Sequence, residues 1–428
     1  MYCAIDFGTS NSAVCIPDGK TGMRLVELEP GFPTMPTAVF YAVEGAAAQP
    51  MREFGRAAVA AYVDGVEGRL MRSMKSILGS TLIEQTTDIG GGRAVKYLDV
   101  VTGYLQRLKA CAEAAAGAPI TQAVLGRPVF FVDDDPARDA AAQRALEAAA
   151  RQAGFIDVRF QYEPIAAAFD YERRVTTEQV VLVADIGGGT SDFSVVRVGP
   201  GRASVLDRKA DILANHGVHI AGTDFDRRIE LASILPELGY GAYGPAAPGV
   251  PAREVPSAIY FDLATWHLIN TVYNPLRVAE LRQMRGFYAE PKHHARLLRV
   301  LAERLGHDLM ARAEAAKIEV SDGGAAQIDL SRVEPDLAVE LSPGIAGQAL
   351  DADADRIVDA ARDTIRQAGL AAGAIDALYF TGGSTGLRLL TDRLAAAFPS
   401  ADVVRGDRFA SVATGLGLHA RRLHGVPI

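Results

Sequence analysis

Short apolar blocks separated by turn residues open the chain: "YCAIDFG" and "SAVCIPDGK" predict two strands of a hairpin, and "TAVFYAV" a third strand. From Arg52 to Gly117 the apolar spacing lengthens to the helical period in "FGRAAVAAYVDG" and "VVTGYLQRLKACAEAAAG". This stretch therefore predicts mostly helix, with a glycine-rich break at Gly90 to Gly92. "QAVLGRPVFF" predicts a strand, and "PARDAAAQRALEAAARQAG" an amphipathic helix that Pro136 opens and Gly154 closes. A further strand, "VRFQYEP", runs into the helix "IAAAFDYERR".

At Thr176 the pattern begins again. "QVVLVADIGGGTSDFSVVRVG" is a buried strand, a glycine turn and a returning strand, like the chain's start. Asp6 answers to Asp185, Gly8 to Gly187, Thr9 to Thr190 and Ser10 to Ser191, with Gly188 and Gly189 added. The acids stand 179 residues apart, which suits a duplicated domain and not a solenoid. The second copy carries a large insertion, with the Pro/Gly-rich loop "PELGYGAYGPAAPGVPAREVP" followed by helices between Phe261 and Val320. "AIDALYFTGGSTGLRLLTDRLAAAF" then predicts strand, glycine turn and helix, and "FASVATGLGLHARRL" a closing helix. The expected organisation is α/β, with two lobes. Lobe I is 1–176, its core (1–35 and 119–176) interrupted by a subdomain at 36–118. Lobe II is 177–428, its core (177–215 and 346–428) interrupted at 216–345.

Composition narrows the function. The 428 residues carry a formal charge of -8, which argues against binding nucleic acid or an anionic membrane through charge neutralisation. Cys3, Cys15 and Cys111 form no C-x-x-C pair, zinc spacing or even disulfide framework. No basic segment leads into an apolar stretch at the N-terminus, and nowhere do 18 apolar residues run together. A cytoplasmic protein with small-molecule or protein ligands is expected.

Three predicted strands end in glycine-rich turns, "DFGTSNS", "DIGGGTSD" and "TGGST". Glycine lets backbone N–H groups approach an anion, and Ser/Thr hydroxyls add donors, so such turns cradle phosphates. Two of them start with an aspartate, and paired carboxylates facing a polyphosphate suit Mg²⁺, which binds through one or two acids plus phosphates. One nucleotide held between duplicated halves is the simplest reading. Other motifs fall away on context. Asp6-Phe7-Gly8 stands too early for a protein kinase, whose glycine loop, lysine and catalytic loop precede D-F-G. Gly19-Lys20-Thr21 has Val14 where a Walker A needs glycine. Gly239, Gly241 and Gly244 spell G-x-G-x-x-G inside a loop with Pro245 and Pro248, where a dinucleotide fingerprint needs a strand before and a helix after.

The four motifs "IDFGTSNSAV", "VVLVADIGGGTSDFSVV", "YEPIAAAFDYE" and "FTGGSTGLRLL" together resemble, in order, the nucleotide-binding domain of the DnaK-type 70-kilodalton heat-shock chaperones. That family lies within the actin and sugar-kinase superfamily, and its shorter YegD-like members are the most similar. The resemblance implies an actin-like ATPase fold, ATP or ADP with Mg²⁺ as ligands, and slow hydrolysis acting as a conformational switch. It places Asp6 and Asp185 by the hydrated metal, and Thr9, Ser10, Gly188, Gly189 and Thr190 on the β- and γ-phosphates. Gly8, Asn11, Gly187 and Gly222 join the nucleotide contacts. "MKSILG" is similar to the segment bearing the family's catalytic lysine, so Lys75 would stabilise the γ-phosphate or the attacking water. Glu163 and Asp192 would orient that water and the metal. "AEAAKIEVS" is similar to the helix flanking adenine, with Glu314, Lys317 and Ser321 at the ribose and base contacts. Gly382, Gly383, Ser384 and Thr385 would cover the other side. Ile318 and Gly386 stand where the family has arginines, so adenine would be held without their cation–π contribution.

No peptide-binding domain is visible after the closing helix, so a client-folding cycle is not expected; a protein partner or exchange factor is compatible with the pattern. The segment "WHLINTVYNPLRVAELRQMRGFYAEPKHHARLLRVLAERLG" is basic and amphipathic. It reads either as a helical pair packing its Leu/Val stripe internally or as a partner-docking arm. His293 and His294 lack metal-ligand spacing and are expected at the surface. A filament-forming protein of the same fold and a sugar kinase are the alternatives from other classes.

Overall fold

Burial on both faces accounts for the apolar run Cys3–Ile5 in the first strand, which Asp6 interrupts before Phe7. In β1 (Tyr2–Phe7), Cys3, Ala4, Ile5 and Phe7 are all fully buried. The structure, a computed structural model, describes residues 1–19, 22–43, 51–132, 135–202, 205–246, 249, 251–321, 323–408 and 410–424, without the side chain of residue 170. Lys20, Thr21 and Pro248, weighed above, lie outside the described residues. These residues group into two compact units. The first comprises 1–218, 360–385 and 395–428, and the second 219–359 and 386–394.

In the first unit β1 pairs antiparallel with β2 (Asn11–Asp18) and parallel with β10 (Gln122–Arg127). β3 (Gly22–Leu25) and β11 (Asp157–Tyr162) complete the sheet order β11-β10-β1-β2-β3, and β4 (Thr34–Pro36) also pairs with β2. A second sheet repeats the plan. β12 (Gln179–Ile186) is antiparallel to β13 (Ser191–Val198) and parallel to β17 (Ala377–Thr381). With β14 (Ile212–Val218) and β18 (Asp402–Arg405), the order is β14-β13-β12-β17-β18. Strand order and sense match those of the first sheet, so the repeat seen in the sequence is also a repeat of topology.

One core cluster joins both sheets to α4 (Glu163–Glu172) and α12 (Ser411–His424), with Val124, Ile165, Phe169, Val183, Tyr379 and Leu416 among its members. The two helices approach backbone to backbone: a Cβ on Gly415 would stand 1.9 Å from the Ala166 carbonyl oxygen. A second cluster packs the first sheet against α2 (Tyr97–Ala116) and α3 (Pro136–Gln152) through Phe7, Val14, Tyr104, Leu105 and Leu146. Asp135 caps α3 by accepting from Arg138 N at 3.0 Å, and Gly117 ends α2 with φ +66°.

Residues 52–117 are less helical than their spacing predicts. Besides α1 (Gly55–Val63) and α2, they form β6 (Arg52–Phe54), β7 (Gly68–Arg72), β8 (Thr86–Gly90) and β9 (Arg93–Lys96). β6 and β7 flank β5 (Ala38–Ala42), and β8 pairs with β9 across Gly90 to Gly92. Strands of three to five residues are too short for a period of two to show against neighbouring helices.

The second unit is mainly helical: α5 (Gly222–Ile229), α6 (Ala258–Leu263), α7 (Pro275–Gln283), α8 (Pro291–Ala302), α9 (Gly306–Ser321), and α11 (Arg388–Ala397) as far as Leu394. It also holds a hairpin of β15 (Ala326–Asp329) with β16 (Ala338–Leu341), and α10 (Pro343–Gln367) begins in it. Leu297, Val300 and Leu301 of α8 are buried, so that stripe packs internally. The surface expectation for His294 is overturned. It lies three and seven residues before Leu297 and Leu301 on the same helix face, is buried, and its Nε2 is 2.8 Å from the Leu281 carbonyl. His293 is half-buried. Among the described residues the G-x-G-x-x-G glycines have no strand directly before them and no helix directly after: Gly239 ends a 3₁₀ turn and Gly244 N bonds to Arg253 O at 2.8 Å.

Glu230 follows α5 in a π-helical turn, fully buried, and among the described residues neither of its carboxyl oxygens has a hydrogen-bond partner. Burial, and then the neighbouring Asp226, push its pKa well above the usual carboxylate range. The folded chain thus binds a proton that the unfolded chain releases, and stability falls as pH rises above the ordinary glutamate pKa. Glu230→Gln cannot ionise. It is expected to raise the thermal midpoint by several degrees at pH 8 and by little at pH 5; equal shifts at both values would show that the carboxyl is not held neutral.

Candidate functional site

In the first unit, β1, β12 and β17 each run into one of the glycine turns. A Cβ on Gly8 would stand 2.2 Å from Asn11 O, so only glycine closes that turn. Thr37, which the sequence reading missed, holds it from outside. Its Oγ1 donates to Gly8 O at 2.8 Å and lies 2.9 Å from Ser12 Oγ, while its N–H donates to Ser10 O at 2.9 Å. The second turn closes through Gly187 N to Thr190 O at 3.0 Å, and Thr190 Oγ1 donates to Asp192 Oδ2 at 2.7 Å.

The turns converge. A Cβ on Gly188 would stand 2.6 Å from Ser10 Oγ, which sets the first and second turns face to face. Gly382, with φ +90°, would bring a Cβ within 2.5 Å of Ile186 O and 2.6 Å of Asp185 Oδ1. Ser384 Oγ donates to Gly187 O at 2.7 Å, tying the third turn to the second. Thr9 and Ser10 are half-buried, Asn11 is exposed, and Gly189 has open space around it. Gly383 starts the 3₁₀ turn that Gly386 ends.

Charge is concentrated beside these turns. Lys75 sits on a 3₁₀ turn (Met74–Ile77) anchored by buried Met74 and entered through Ser73 at φ +53°, an uncommon conformation for serine. Its Nζ is 2.6 Å from Glu163 Oε1, with side chains only 10% and 13% exposed. Glu163 opens α4 just before Pro164, and Gly126 leaves room for it: a Cβ there would lie 3.1 Å from the Glu163 side chain. Asp6 and Asp185 keep a little surface inside a dense shell of protein atoms. Burial first, then Glu163 and Asp185, push Asp6 up to about 8 against the pull of Lys75. Burial, then Asp192 and Glu163, push Asp185 up to about 7, again against Lys75. Burial opposes the Lys75 ammonium, yet Glu163, Asp6 and Asp185 raise its pKa.

Four carboxylates therefore act on one another here, with Lys75 the cation that appears in their interactions. Such an excess fits a further cation. Among the described residues no three His, Cys, Asp or Glu side chains are grouped to ligate a metal directly. The arrangement suits an ion held by two acids through water and by phosphate oxygens, as Mg²⁺ is.

The other expected contacts lie in the second unit. On α9, Glu314 and Ile318 are exposed, Ile318 at 57%. Lys317 Nζ pairs with Asp226 Oδ1 at 2.6 Å, and Ser321 Oγ donates to Lys317 O at 2.8 Å. Gly222 is buried at the start of α5, and Gly386 also belongs to this unit. Asp226 was missed, since nothing in "TDFDRR" separates a buried acid from a solvated one.

The family profile described as Hsp70 protein matches residues 2–232, more than half of the chain. The chain belongs to the Hsp70 family. Its mixed α/β sheets are those of the actin-like ATPase fold, and Hsp70 domains bind ATP or ADP with Mg²⁺. The Hsp70 match takes in Asp6, Lys75, Glu163, Asp185 and Asp192. Among the described residues of this Hsp70-family chain, no helix is long and apolar enough to cross a membrane.

Proposed function

We propose that this Hsp70-family chain binds ATP with Mg²⁺ at the convergent turns, hydrolyses it slowly, and uses the nucleotide state as a conformational switch in a chaperone-like role. The Lys75–Glu163 ion pair beside Asp6 and Asp185 is the observation that carries this reading. A solvated helix lysine would have no reason to lie buried among carboxylates. Asp6 and Asp185 would hold the hydrated metal, whose charge offsets that of the β- and γ-phosphates. Backbone N–H groups of Gly8 to Ser10 and Gly188 to Thr190 would orient those phosphates, with the Thr9, Ser10 and Thr190 hydroxyls beside them. Lys75 would stabilise charge developing on the transferred group. Glu163 would position Lys75 and, with Asp192, the attacking water. Little more is required, because phosphoryl transfer is mainly positioning plus charge stabilisation.

Glu314, Lys317, Ile318 and Ser321, with Gly222 and the Gly382–Gly386 turn, would contact the nucleoside. A cytoplasmic setting and a partner that senses the nucleotide state belong to the same reading. ATP with Mg²⁺ is expected to raise the thermal midpoint of the full chain, and to raise it more than ATP with a chelator does. Asp185→Ala should remove the metal-dependent increment. No shift with wild type sinks the proposal, and release of ADP only when a sugar is added makes the chain a kinase instead.

A further inference from the structure

In the first unit, the β3–β4 connection and the start of α1 form a recess of about 540 Å³ whose lining includes none of the residues of the three turns. Its first wall is locked. Pro30 and Gly31, the latter at φ +78°, make a tight turn closed by Phe32 N to Glu29 O at 2.8 Å, which presents Phe32 half-exposed. The Arg56 guanidinium lies 3.8 Å from the centre of that ring. Glu29 fixes Arg56 twice, by pairing with its guanidinium and by accepting from its backbone N–H at 2.8 Å. Arg56 also donates to Thr34 O at 2.8 Å. Gly55 makes this possible: a Cβ there would stand 2.3 Å from Glu29 Oε1.

The opposite side is different. Arg52 and Arg107 line the recess exposed, and neither has a carboxylate partner among the described residues. Phe54, 6.0 Å from the Arg52 guanidinium, adds a second ring. With Arg56 neutralised by Glu29, the lining charges are Arg52 and Arg107 against exposed Glu53, a single positive excess in a chain of net charge -8. Phe32 on one wall and Phe54 beside Arg52 on the other, with two guanidiniums that no carboxylate neutralises among the described residues, are the complement of a planar apolar body bearing one acid group. The volume lies within the range of small-molecule sites. We propose that this recess binds a small aromatic carboxylate, its ring against Phe32 and Phe54 and its carboxylate on Arg107 and Arg52. A monoanion matches the single excess charge, whereas a phosphate dianion leaves one charge uncompensated.

Titration calorimetry of the full chain with indole-3-acetate tests this, with indole-3-ethanol and acetate as partial probes. Saturable binding of indole-3-acetate is expected. The neutral analogue and acetate should each bind about tenfold more weakly or worse, matching the loss of a charge-assisted contact or of the ring. Arg107→Ala should weaken the acid about tenfold and leave the neutral analogue unchanged, with Arg107→Lys in between. Arg107 is exposed, so these variants should keep the wild-type thermal midpoint, and Lys75→Ala should bind indole-3-acetate as wild type does. Absence of saturation at millimolar concentration overturns the proposal. So does equal binding of acid and alcohol, or indifference to Arg107→Ala.

Discussion

Lys75→Ala should lower ATP turnover by roughly a hundred- to a thousandfold while leaving ADP affinity within about threefold of wild type. The expected size rests on the surroundings of the ammonium. It lies 2.6 Å from Glu163, its pKa is raised by Glu163, Asp6 and Asp185 together, and little of it reaches solvent. A cation placed so acts on charge that develops during transfer, and its loss belongs in kcat more than in binding. Removing it also leaves Glu163 partly buried without a counter-charge, which destabilises the fold. Thermal midpoints must therefore accompany the kinetics, and Lys75→Arg keeps the charge while changing its geometry. Single-turnover assays separate the cases. Unchanged turnover in Lys75→Ala would remove this residue from the mechanism, and an equal loss of ADP affinity would make its role binding.

Gly382→Ala should cost about 2–4 kcal/mol of stability and abolish the nucleotide-dependent thermal shift. Two independent strains meet there, a backbone at φ +90° and a methyl 2.5 Å from one carbonyl oxygen and 2.6 Å from the Asp185 carboxylate. Relief would push Ile186 or Asp185 away, and both are strand residues that lead into the second turn. Gly189→Ala is the control for stability, since nothing lies within 4 Å of its added methyl and its φ is not positive. It should fall within about 0.5 kcal/mol of wild type in denaturant unfolding. Similar losses in the two variants would mean that the strain at Gly382 is relieved elsewhere.

How far the sequence was legible depended on whether the signal was local. The long strands β1, β12 and β17 and their glycine turns were readable because an apolar run, a break and small polar residues stand next to one another. Lys75 was readable only through its flanking residues; its pairing with Glu163 spans 88 positions and leaves no periodic trace. Thr37 was not readable, since its support of the first turn depends on β4 folding back to pair with β2. His294 went astray because a polar residue on an apolar stripe looks solvated until its ring nitrogen finds the Leu281 carbonyl. Glu230 gave no warning at all. A carboxyl kept neutral by burial has the same letter as one in water.

The matching strand orders of the two sheets bear on ancestry. A half-length chain with this topology presents one glycine turn and one aspartate, which is half a grip on a polyphosphate. Two identical copies about a twofold axis present both, so a homodimer of the half-length chain would already own the symmetric part of the grip. Lys75 and Glu163 stand outside that symmetry, because both come from the first half alone. On the proposed function, holding the ligand would fall to the part that the two halves share, and acting on it to residues that the first half alone supplies.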